Sequence, residues 1–166
     1  KSQLPKFKTF QADATSDSLI RNLKLEFRNY NNVAIVAEPY LGEPKKYKPS
    51  YNAVCGEYER VKDLYLKFLK NIAILLYCYI ANEPQVANNN TTIKQYNNCV
   101  LCLVFPLIET AEGKQFSLYK ECVDEIKNLG YTQTRTPLVY GRGYQVVKRE
   151  IILLKYEQKS QITNSK

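Results

Sequence analysis

The stretch NLGYTQTRTPLVYGRGYQVVKREIILLKY, residues 128–156, decides how the rest of the chain is read. Two extended segments rich in aromatic and β-branched residues, Tyr131 to Tyr140 and Gln145 to Tyr156, are separated by Gly141-Arg142-Gly143, which predicts an antiparallel hairpin. Gly130 stands where a helix that ends in a left-handed residue wants a glycine, and Tyr131 then opens the first strand. The helix ahead of it is expected from about Ser117 to Asn128, with Leu118, Cys122, Val123, Ile126 and Leu129 turned inward. Tyr144 is expected to open the return strand. That strand is apolar from Ile151 to Leu154, so Leu153 is expected in the core, where an aspartate would unfold the domain.

Working outward, Cys99 to Phe105 is an apolar run stopped by Pro106, and Glu112-Gly113-Lys114 supplies a turn. Val33 to Ala37, bounded by Glu38-Pro39, predicts a strand buried on both faces. Lys6 to Gln11 predicts a short strand. Ser16 or Asp17 can cap a following helix whose apolar positions are Leu19, Ile20, Leu23, Phe27 and Tyr30. Val54, Tyr58, Val61, Leu64, Tyr65, Phe68 and Leu69 trace one face of an amphipathic helix that should end near Asn71. Ile72 to Ile80 then reads as a buried strand, and the Asn-rich stretch 82–98, with Pro84 inside it, as a long loop. The sum is an α+β protein: a mostly antiparallel sheet with about three flanking helices in a single domain over residues 1–157, followed by a polar, frayed tail over 158–166.

Composition narrows the function classes. The 166 residues are 45% hydrophobic and 24% charged, ordinary for a chain with a real core. Fourteen Tyr and no Trp place phenols at core edges and interfaces. The net charge of +8 favours acidic or nucleic-acid partners. No apolar run is long enough to span a bilayer, so no membrane partner is expected. Beginning at Lys1 without any Met, the chain is expected to have had residues ahead of Lys1. Four of five cysteines lie in apolar segments, which predicts reduced thiols in an intracellular compartment.

No His is present, which removes the usual general base, zinc ligand and nucleophile activator. Gly141 and Gly143 precede a strand rather than a helix, so they form no phosphate cradle. Cys99-Val-Leu-Cys102 has zinc-knuckle spacing, but on a strand the odd offset points the two thiols to opposite faces. Glu57 and Glu59 match the alternating glutamates with which tunnel-type triphosphatases hold a metal. On a helix, however, they diverge by about 200 degrees. No catalytic, cofactor or metal residue is therefore assigned. Two basic patches remain as candidate contacts for nucleic acid or an acidic partner: Lys45, Lys46 and Lys48 among Tyr40, Tyr47 and Tyr51, and Arg142, Lys148 and Arg149 around the hairpin.

Two stretches resemble the subunit 18 family of the Mediator head module. Phe10-Gln11-Ala12 leading into Ser18-Leu19-Ile20-Arg21 is similar to that family's opening strand and helix. Val123, Ile126, Leu129-Gly130-Tyr131, Gly141, Tyr144 and Ile151 to Leu154 resemble its helix, glycine-aromatic turn and final hairpin. Gly130, Tyr131, Gly141 and Tyr144 are the candidate structural motif. The resemblance implies a barrel-like sheet, no catalysis, partnership with Mediator subunits 20 and 8, nuclear localisation and a scaffold role in RNA polymerase II transcription. Beside this non-enzymatic assembly subunit stand a nucleic-acid-binding module that uses the basic Tyr/Lys loops and a metal-dependent relative of the tunnel triphosphatases, a fold that family shares.

Overall fold

The computed structural model describes residues 11–16, 20, 23, 33–81 and 99–157, with the side chains of 78–81 outside that description. Of the predicted N-terminal strand only Gln11 is described, outside any strand; of the first helix only Ile20 and Leu23, both helical. The Asn-rich loop 82–98 and the tail 158–166 lie outside the described residues.

The fold is α+β. In chain order the elements are β1 (Val33–Ala37), α1 (Tyr51–Ala81), β2 (Cys99–Glu109), β3 (Gln115–Ser117), α2 (Leu118–Glu121), α3 (Val123–Asn128), β4 (Tyr131–Gln133), β5 (Leu138–Tyr140) and β6 (Val147–Tyr156). The sheet is built on β2 and β6, which run antiparallel from Val100 opposite Lys155 to Ile108 opposite Val147. On the far edge of β2 lie β1, which is parallel to it, and β3, which is antiparallel. On the far edge of β6 lie β4 and β5, both antiparallel. Among the described residues the sheet is mostly antiparallel and open, its strand order β1-β2-β6-β4 leaving the outer strands unjoined rather than closing into a barrel.

The expected hairpin is present in β5 and β6, but the first extended segment is interrupted between Gln133 and Leu138. Gly130 has φ +93, and a Cβ there would come within 3.1 Å of the Glu157 carbonyl, so the close of α3 and the end of β6 require glycine. Tyr131 is buried and donates its hydroxyl to the Leu69 carbonyl at 2.8 Å, fastening β4 under α1. Tyr144 does not open the return strand: it stands in the turn, 75% exposed, with β6 starting at Val147.

Three expectations need physical correction. The helix does not end near Asn71, and Ile72 to Ile80 is not a strand, because no Gly or Pro interrupts 71–81 and the run keeps helical periodicity. Ile72, Leu75 and Leu76 are buried while Ile74 and Tyr77 face out. Asn71 remains inside the helix, its side-chain amide donating to the Ala14 and Ser16 carbonyls. Second, β2 continues through Pro106 to Glu109. The Thr134 N–H donates to the Leu153 carbonyl, so odd-numbered β6 residues turn their backbone groups towards β4 and β5, and even-numbered ones towards β2. Pro106 faces odd-numbered Arg149 and has no ladder bond to lose there. On its other side it falls in the gap between the β1 and β3 partners, where the Tyr65 hydroxyl takes the Val104 carbonyl at 2.8 Å. Third, the predicted helix over 117–128 is split at Cys122, with Ser117 capping α2 by accepting from the Lys120 N–H at 3.1 Å.

The core lies between α1 and one face of the sheet. Tyr65 stacks on Phe105 with centroids 4.8 Å apart, and Tyr119 of α2 meets the same Phe105 ring at 5.4 Å. Burial raises the Tyr58, Tyr65 and Tyr131 phenol pKa values far above their ordinary value. The N-terminus of α1 is held by Ser50, whose hydroxyl accepts from Ala53, and by the Glu112 carboxylate, which accepts the Tyr51 N–H at 3.1 Å. No described helix is long and apolar enough to cross a membrane.

Residues opposite one another in register share a face. Ile152 and Leu154 point into the core, fully buried, whereas Leu153 is half-buried on the other face. Leu153 is thus not a core residue. Leu154→Asp should abolish cooperative thermal unfolding, at a cost above about 4 kcal/mol, whereas Leu153→Asp should keep a cooperative melt by circular dichroism with a loss below about 2 kcal/mol.

Candidate functional site

The sequence-predicted contacts are largely engaged within the chain. The loop between β1 and α1 has no helix or strand, as expected, but it is fastened to α1. Gly42 has φ +92 and lies so close to the Tyr58 ring that no Cβ fits, and the Tyr58 hydroxyl donates to the Leu41 carbonyl at 2.8 Å. Lys45 pairs with Glu57, Lys48 lies 2.5 Å from Glu109, and Lys46 rests over the Tyr47 ring. Arg149 pairs with Glu38 at 2.8 Å, and Arg142 donates to the Tyr144 hydroxyl at 2.7 Å. Lys148 packs its stem against Gly141. The structure brings Lys48 and Lys148 towards one carboxyl group, Glu109, whose pKa is lowered first by the Lys48 hydrogen bond and charge and then by Lys148. Lys45 and Arg142 are occupied elsewhere.

The glutamates do not form one site. Glu57 faces Lys45, Glu59 is exposed on α1, and Glu150 is buried with one carboxyl oxygen accepting the Ser117 hydroxyl at 2.5 Å. Among the described residues no three metal-ligating side chains are grouped. Ser117 and Glu150 resemble a hydroxyl and its activating carboxylate, but each is only 4% exposed, so substrate has no access. Their arrangement is a polar clasp: one hydroxyl caps α2 and satisfies a carboxyl group on β6. The signal in sequence was Glu150, the one acidic residue of β6, standing directly ahead of the apolar run Ile151 to Leu154. Cys99 and Cys102 lie on opposite faces as expected, Cys99 buried beneath α1 and Cys102 half-exposed. Desolvation raises the Cys99 thiol pKa, and that of Cys122 is pushed up to about 12, mainly by burial.

The feature that sequence did not reveal is the second face of the sheet. Register assigns Ala34 and Val36 of β1, Val100, Cys102 and Val104 of β2, Ile151 and Leu153 of β6, and Leu138 and Tyr140 of β5 to it. Val36, Leu138 and Tyr140 are 77%, 64% and 59% exposed. As far as Val104 the central residues are half-buried and lie outside the hydrophobic core cluster; beyond it Pro106 and Ile108, of the same parity, are buried, Ile108 within that cluster. Among the described residues no helix packs on this face; α1 and α2 both lie on the other. Val33 to Ala37 is therefore not buried on both faces: it is an outer strand whose Ala34 and Val36 meet solvent. Its continuous apolar run reflects one face packed on the core and one left open.

No family model, curated protein or solved structure matches the chain.

Ser117→Ala should cost about 2–4 kcal/mol, combining loss of the α2 cap with a buried Glu150 left without its donor. Pairing it with Glu150→Leu should recover part of that loss in chemical denaturation, because the stranded acceptor is gone.

Proposed function

We propose that the chain is a non-enzymatic assembly subunit that docks another protein on the open face of its sheet. The observation that carries this reading is the apolar surface running from Val36 across Cys102 and Leu153 to Leu138, with no described helix over it. Burying such a surface is favourable at about 25 cal/mol per Å² of apolar area, while leaving it in water invites nonspecific association. The glutamates that a tunnel triphosphatase would need support the same reading, since Glu57 answers Lys45 and Glu150 answers Ser117. The basic loop gives little support to a nucleic-acid module, because Lys45 and Lys48 already face carboxylates. The resemblance to Mediator head subunit 18 gives the proposal a specific form, with subunits 20 and 8 as partners in a nuclear transcription complex.

Affinity purification of the tagged chain from its native cells should yield a protein partner in fixed ratio. Lys45→Glu should retain it, and Val36→Asp/Leu153→Asp, checked as folded by circular dichroism, should lose it. A chain that purifies alone, or a partner held equally by the double variant, would count against this function. Recovery of subunits 20 and 8 would support the Mediator form, and a different partner would dismiss it.

A further inference from the structure

The outer strand β5 differs from the rest of the sheet. Leu138, Val139 and Tyr140 are 64%, 50% and 59% exposed, so apolar side chains stand in solvent on both faces of the same strand. One edge of β5 pairs with β6, and no described strand pairs with the other. The ladder alternation fixes what that edge offers. Odd-numbered β6 residues direct their backbone groups towards β4 and β5, as the bond from Thr134 N–H to the Leu153 carbonyl shows. Leu138 and Tyr140, opposite Ile151 and Arg149, therefore bond to β6, whereas Val139, opposite Glu150, turns its N–H and C=O outward.

Exposed strand edges are usually blunted by charge, bulges or a covering segment, because they template pairing with another chain. Here the charges bracket the strand rather than interrupt it. Arg135 lies before β5 and Arg142 after it, and the sequence from Tyr131 to Arg149 contains no Asp or Glu. Among the described residues neither arginine has a carboxylate partner; the Arg142 guanidinium donates to the Tyr144 hydroxyl. The two other cations of this stretch are less available, Arg149 being paired with Glu38 and Lys148 lying near Glu109.

We propose that β5 is a strand-addition site for an extended segment of a partner protein in which a short apolar stretch is flanked by Asp or Glu. The backbone of that segment would bond to Val139, its apolar side chains would cover Leu138 and Tyr140, and its acidic ends would answer Arg135 and Arg142. This deepens the assembly-subunit reading and rests on it. A second copy of the chain is a poorer occupant: each copy carries net charge +8, and antiparallel pairing of two β5 edges would set Arg135 of one copy beside Arg142 of the other. Nucleic acid would answer the arginines but leave the edge of Val139 without its ladder partner.

The test uses the full chain and a labelled peptide, Glu-Asp-Val-Ile-Val-Asp-Glu, followed by fluorescence anisotropy. Two control peptides carry either Lys in place of every acid or N-methyl groups on alternate backbone nitrogens. Binding should weaken at least tenfold, about 1.4 kcal/mol, for each control and for the Arg135→Glu/Arg142→Glu variant. It should also weaken with rising salt. Val139→Pro, which removes the outward N–H and no ladder bond, should weaken the parent peptide as well. If that variant misfolds, the N-methylated peptide reads the same bond on the native chain. The proposal is overturned if the acidic peptide does not bind, if both N-methylated and parent peptides bind alike, if light scattering shows a dimer that the peptide dissolves, or if oligothymidine displaces the peptide and binds more tightly. Partner loss in the Val36→Asp/Leu153→Asp chain reads the sheet face, whereas peptide binding reads β5, so failure of one is distinguishable from failure of the other.

Discussion

The antiparallel register between β2 and β6 is the constraint from which the rest of the structure follows. By setting Leu101 opposite Leu154 and Leu103 opposite Ile152, it gathers these four residues, each buried to 0% exposure, onto one face and commits Cys102, Val104, Ile151 and Leu153 to the other. A slip of one residue would exchange the two sets, and both are apolar. What breaks the tie is the polar bonding of the helical side. Glu150 meets Ser117 only when even-numbered β6 residues point towards α1 and α2, and Tyr131, opposite Tyr156 in register, reaches the Leu69 carbonyl from that same face. Buried polar groups left without partners cost about 1–3 kcal/mol each, enough to select a register that hydrophobicity alone leaves nearly degenerate.

The same constraint produces the asymmetry on which the functional reading rests. A sheet with one face under helices and the other open is common when the open face is polar. Here the open face is built from Val, Ile, Leu, Cys and Tyr, and the charged groups are confined to its margins, with Arg149 held by Glu38 and Lys155 near Glu157. Polar satisfaction chooses the inner face, and the side chains left over form the other face.

Much of the fold was readable in the residues, for reasons that can be named. Val33 to Ala37, the Gly113 turn, the Gly130 helix end and the hairpin around Gly141 announce themselves through local chemistry, β-branching in one case and glycine in the others. The run after Asn71 was ambiguous because a short, wholly apolar segment fits a buried strand or a buried helix, and only the outward positions of Ile74 and Tyr77 separate them. The open face was hidden for a related reason: a strand apolar on both faces reads as doubly buried whether or not a described element covers its second side. The fate of the basic loop was equally out of reach, since Lys48 finds Glu109 from 61 residues away and nothing local announces that partner.

Cys99 and Cys102 are natural reporters of the two faces, three positions apart on one strand. Alkylation of the native chain with iodoacetamide, resolved by fragmentation of the peptide that holds both, measures them side by side without any substitution. Cys102 should react while the chain is folded, and Cys99, buried beneath α1 with a raised thiol pKa, only after denaturation. Protection of Cys102 equal to that of Cys99 in the isolated chain would mean that the second face is already covered and not free to dock a protein.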